Sequence, residues 1–190
     1  MLGQTGADII TDVERHEPQS SQPADVLRHY LSDIIFGAND GIITTFAVVS
    51  GVTGAHLAPS ILIILGCANL LADGFSMGAS NFLAIRSGAK AEGKERGVRE
   101  PLAHAVATFL AFVAAGAVPL VAYVFPGATD HTFLVSCIMT GVILFGVGSM
   151  RSWVVSVRWY WSGLEMLGIG AAAAAVAYGV GVVLSRFLSA

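Results

Sequence analysis

The sequence predicts an all-α integral membrane protein with five transmembrane helices, and three observations carry that prediction. Hydrophobic residues make up 55% of the 190 residues and charged residues only 12%, about half the charge of an ordinary soluble domain. Between Ile34 and Leu188, long apolar blocks alternate with short polar clusters, the pattern of several spans rather than of one water-shielded core. Five of the blocks reach the roughly 20 residues that a hydrocarbon layer of about 30 Å demands of a helix.

Taken in order, residues 1–28 are expected to be a cytosolic tail without stable structure. Met1 to Gln22 is polar and acidic, is followed at once by Pro23, and lacks the basic start and short apolar core of a cleavable signal. The membrane domain is expected over 29–190. Its helices are placed at about 34–55, 60–85, 102–125, 131–150 and 163–188. The turn His56-Leu57-Ala58-Pro59 separates the first two. Pro101 opens the third, Pro119 interrupts it, and Pro126-Gly127-Ala128-Thr129-Asp130 turns the chain into the fourth.

Basic residues set the orientation, because cytoplasmic loops of membrane proteins carry the Lys and Arg excess. Arg86, Lys90, Lys94, Arg96 and Arg99 fall in the second loop, Arg151 and Arg158 in the fourth, and Arg15 and Arg28 in the tail. Only Arg186 is left for the other side. The N-terminus is therefore expected in the cytosol and the C-terminus opposite it. Trp153, Trp159, Tyr160 and Trp161 beside Arg151 and Arg158 fit an interfacial aromatic belt, and Glu165 is expected to pair with Arg158 or Arg151.

Several function classes drop out. A net charge of −3, with the acidic excess in the first thirty residues, gives no footprint for nucleic acid. Cys67 and Cys137 lie inside apolar blocks, where free buried thiols are expected. No glycine loop for nucleotide, no catalytic triad and no C-x-x-C is present, so neither an enzyme nor an ATP-driven pump is expected, and no cofactor. Small residues are abundant instead. Gly37 and Gly41 form one G-x-x-x-G, Gly74 and Gly78 another, and the last span carries Gly168, Gly170, Ala171–Ala175, Gly179 and Gly181. Such faces allow close helix contact where lipid supplies no hydrophobic drive, and a homodimer is one natural use for them.

Ionisable groups inside a bilayer cost several kcal/mol unless paired or wetted, which makes each a functional candidate. Asp33 sits at the cytosolic mouth of the first span. Asp40 lies two turns deeper on the same face, about 10 Å along the axis. Asp73 is near the middle of the second span, where Asn69, Asp73 and Met77 repeat every four residues and form one stripe. Carboxylate and amide oxygens with a thioether suit Fe2+ or a similar ion better than Mg2+ or Ca2+. Two plainer readings stand beside this one: Met77 filling a gap between helices, and Asp40 hydrogen-bonded to Asn39, Thr44 or Thr45. His104 is either an interfacial histidine or a ligand or proton carrier. Because ligands must be deprotonated to hold a cation, proton antiport follows as an expectation.

The run from Asp33 through Gly37-Ala38-Asn39-Asp40-Gly41 to Ala55 closely resembles the first helix of the vacuolar iron transporter family, and Ala72-Asp73-Gly74-Phe75-Ser76-Met77-Gly78 resembles its second. The resemblance covers nearly everything from His29 to Leu188. It implies a five-helix protomer in a homodimer, with a metal path along the two-fold interface lined by the first two helices. It also implies proton-coupled export of Fe2+ or Mn2+ from the cytosol for detoxification or storage. The partners are then the ion, the proton and the bilayer, in a bacterial cytoplasmic membrane or, in a eukaryote, the vacuolar membrane. By motif position Asp40 and Met77 match pathway ligands and Asp33 an acid nearer the entrance; Asp73 and Asn69 enter from helical spacing alone. Many members join the second and third helices through a glutamate-rich cytosolic domain. Here only Arg86 to Pro101 connects them, as in the shorter, nodulin-like branch, and His29 and Asn69 stand where an acid is expected. A passive cation channel and a non-transporting metal-sensing module are the competing readings.

Overall fold

A computed structural model describes residues 23–93, 97–124, 131–153 and 157–188, with side chains from Tyr30 onward. The tail to Gln22 and the turn Pro126–Asp130 lie outside the described residues. The described chain is helical: α1 (Pro23–Gly54), α2 (Pro59–Ala91), α3 (Arg99–Gly116), α4 (Val118–Val124), α5 (Thr132–Met150), a 3-10 turn at Arg151–Trp153, and α6 (Trp159–Leu188). Four of these helices are long and apolar enough to cross a membrane, and the bent pair α3 and α4 makes a fifth if it is one span.

The first helix starts about eleven residues earlier than its apolar pattern, at Pro23. Proline is tolerated there because the first turn needs no N–H partner. Its end is set by a left-handed residue. His56 has φ 55°, Leu57 N–H donates to Val52 O at 3.2 Å and His56 N–H to Thr53 O at 3.0 Å, the paired bonds of a Schellman cap. Pro59 then opens α2, so the expected turn is a tight hairpin between two long helices.

The third block is broken where expected. Proline has no N–H to donate, and its ring clashes with the preceding turn. Accordingly α3 stops at Gly116, α4 begins at Val118, and the two are bent by 42°. The bend is held from outside by Ser136 on α5, whose hydroxyl donates to Pro119 O at 2.7 Å.

Phe46, Val49, Val52, Leu62, Leu70, Phe112, Leu120 and Tyr123 form the core, drawn from α1 to α4. The central element is α1, which packs on α2, α3, α4, α5 and α6. By contrast α6 leaves Val176, Val180, Val183 and Phe187 exposed, a surface only lipid or another apolar partner covers without cost. Both G-x-x-x-G motifs are used within the chain. A Cβ at Gly37 would stand 2.5 Å from Thr108 O of α3, and one at Gly78 2.9 Å from Ala105 O. These glycines thus let three backbones approach closely, and the α1–α2–α3 contact fixes the candidate site.

Candidate metal pathway

Because α1 and α2 form a hairpin, equal distances from its turn mean equal depth. Asp40 lies fourteen residues before Gly54 and Asp73 fourteen after Pro59, so each is about 21 Å from the turn along its helix. Both side chains are half-buried, and the two carboxylates are close enough to act on one another electrostatically. Neither has a hydrogen-bond or ion-pair partner among the described residues. Thr44 Oγ1 donates to the main-chain oxygen of Asp40 at 2.8 Å, not to its carboxylate. Thr45 Oγ1 is buried without a partner, and among the described residues neither Asn39, Thr44 nor Thr45 donates to the Asp40 carboxylate.

On α2 the buried ridge is Leu62, Gly66, Leu70, Gly74 and Gly78. The Asn69–Asp73–Met77 row runs along one flank of this ridge, and all three side chains are half-buried. Met77 packs against the core cluster, so it fills space between helices as the plainer reading holds. On the helix, Met77 stands one turn from Asp73.

Asp33 is placed differently from the other candidates. Its Oδ2 stands 2.5 Å from His104 Nδ1 of α3, and its Oδ1 accepts from Asn81 Nδ2 of α2 at 2.9 Å. Asn81 Nδ2 also lies 2.8 Å from Thr108 Oγ1, and that hydroxyl donates to His104 O at 2.9 Å. Tyr30 leans on the imidazole with ring centroids 4.6 Å apart. Three helices are tied here into one polar cluster, about 10 Å from Asp40 along α1 toward its N-terminus. Among the described residues, no three His, Cys, Asp or Glu side chains converge as a metal cage.

Sequence reasoning did not find this cluster. His104 was one boundary histidine among several readings, and Asn81 and Thr108 carried no signal of their own. One clue was available: Asn81 continues the four-residue stripe of Asn69, Asp73 and Met77 by one more turn. Glu165 pairs with Arg151 as expected, Oε2 to Nη1 at 3.2 Å.

The comparisons follow the same segments. A family model described as the VIT family matches residues 31–100 and 90–182. The chain is similar to a vacuolar iron transporter of Plasmodium berghei, 44% identical over 71 residues, or 37% of this chain. It spans only 24% of that relative's length. Longer matches are to vacuolar iron transporter homolog 1 of Oryza sativa subsp. japonica, 29% identical across 93% of this chain and 86% of that protein, and to a vacuolar iron transporter of Centaurea cyanus, 23% identical across 94% and 96%.

Proposed function

The chain belongs to the VIT family, and from that premise we propose that it is a transporter exporting Fe2+ or Mn2+ from the cytosol in exchange for protons. The observation that carries this reading is the level pair Asp40 and Asp73, half-buried in the α1–α2 hairpin with no ion-pair partner among the described residues. Two such carboxylates are costly in hydrocarbon unless water or a cation neutralises them. A divalent ion is the neutralising partner of matching charge.

In this reading Asp40, Asp73 and Met77 are the mid-membrane ligands, Asn69 lends an amide oxygen one turn toward the far side, and Asp33 serves the cytosolic entrance. The thioether biases the set toward Fe2+. A carboxylate cannot hold a proton and a metal on the same oxygen, so each ion captured displaces protons, and a proton gradient drives release. Two copies related by a two-fold axis bring two Asp40–Asp73 pairs to one path, so the working unit is a homodimer. The Arg and Lys excess of the loops supports a cytosolic N-terminus, and the names of the relatives support a vacuolar membrane in a eukaryotic host, with the cytoplasmic membrane its counterpart in a bacterium. No catalytic step or bound cofactor enters this cycle.

The loop between α2 and α3 spans only residues 92–98, too short for a folded metal-gathering domain, so ions reach the hairpin directly from the cytosol. Reconstitution into sealed liposomes tests the proposal. With a pH gradient imposed, Fe2+ is expected to accumulate against its own gradient. Equilibration without accumulation would point to a channel, and metal binding without any flux to a sensing module.

A further inference from the structure

We infer that His104 is a metal ligand at the cytosolic entrance, and that with Asp33 it forms a nitrogen–oxygen docking site that favours Fe2+ over Mn2+. The inference rests on the transport reading above but adds a residue and a helix to it. The imidazole Nδ1 and the carboxylate Oδ2 converge on one another across the α1–α3 interface. Two ligand atoms about 2.1 Å from a shared ion, on adjacent coordination positions, are about 3 Å apart. Seating a metal between Asp33 and His104 therefore asks the 2.5 Å contact to widen by about 0.5 Å, within the reach of a small side-chain rotation.

The surroundings are those of a held ligand pair. Asn81 fixes the other carboxylate oxygen at 2.9 Å, and Tyr30 packs on the imidazole. Outer partners of this kind orient metal ligands and tune their affinity. The pair is almost withdrawn from solvent, with side-chain exposures of 10% for His104 and 19% for Asp33, yet it lies on the cytosolic side of the Asp40 level. Imidazole suits Fe2+ and its neighbours, whereas Mn2+ and Mg2+ prefer oxygen-only sets. His104 thus places a selectivity element ahead of the mid-membrane ligands, where a short α2–α3 loop provides no other domain to do so.

The test uses the full chain in detergent, with Co2+ as an air-stable probe for Fe2+ and Mn2+ as the oxygen-preferring comparison. It is run in an Asp40→Ala, Asp73→Ala, Met77→Ala background, which removes the mid-membrane carboxylates and the thioether. Co2+ binding is expected to persist in that background. His104→Gln is expected to weaken Co2+ about tenfold or more while changing Mn2+ by less than about threefold. Asp33→Asn, which keeps the size of the side chain but only one acceptor oxygen and no charge, is expected to weaken both ions. Loss of Co2+ binding in the background alone, or equal Co2+ affinity with and without His104, overturns the inference, as does an Asp33→Asn variant that binds as before. Should His104→Gln fail to fold, the Asp33→Asn result decides. The transport reading is judged apart from these outcomes, by pH-driven flux through the unmodified chain and its dependence on Asp40.

Discussion

Gly37→Ala tests how the fold holds the site. The added Cβ would stand 2.5 Å from Thr108 O, where ordinary contact begins at 3.4 Å. The atom in the way is backbone, so α1 and α3 have to separate by about 0.9 Å rather than adjust a side chain. Overpacking of this kind costs about 1–3 kcal/mol. The same displacement stretches the Asp33–His104 contact from 2.5 Å to about 3.4 Å, outside hydrogen-bond range, which adds about 1 kcal/mol. Better helix propensity returns about 1 kcal/mol, leaving a net loss of about 1–3 kcal/mol. Gly168→Ala is the control, since nothing lies within 4 Å of its Cβ and only the propensity gain applies. Equilibrium unfolding in mixed micelles should separate the two variants by about 2–4 kcal/mol. Equal stability would refute the close α1–α3 approach, and with it the placement of Asp33 against His104.

Three further outcomes follow from the same geometry. Asn81→Leu removes the donor to both Asp33 and Thr108 and is expected to cost about 1–3 kcal/mol in the same unfolding assay. Met77→Leu conserves volume in the core and should cost under about 1.5 kcal/mol, so a drop in Fe2+ flux with Mn2+ flux retained would report the lost thioether rather than lost packing. Arg151→Ala breaks a pair that is 38% and 58% exposed. Its effect on Tm should be near the limit of measurement, since exposed ion pairs contribute about 0–1 kcal/mol.

Four apolar helices were legible because a bilayer sets a minimum length for a crossing helix, and Pro119 announced the break in the third block through its missing N–H. The early start of α1 was not, because Pro23 to Ser32 mixes polar and apolar residues and gives no membrane signal, although nothing in it opposes a helix. Asp40 and Asp73 could be picked out as charges in apolar blocks, and the hairpin explains their common depth. The Asp33 cluster was hidden because its partners are 48 and 71 residues away in sequence, and periodicity within one helix says nothing about which face of another helix it meets. The glycine motifs show the same limit. Their spacing promised close contact, but only the fold reveals that α3 of the same chain occupies them.

In the proposed cycle, metal crosses the membrane by way of the Asp40 level. The most direct measurement of that crossing is Fe2+ uptake into proteoliposomes under a fixed pH gradient, comparing the unmodified chain with Asp40→Ala at matched protein content and matched stability. The expected result is robust flux through the former and background flux through the latter. Undiminished flux through Asp40→Ala would contradict the account.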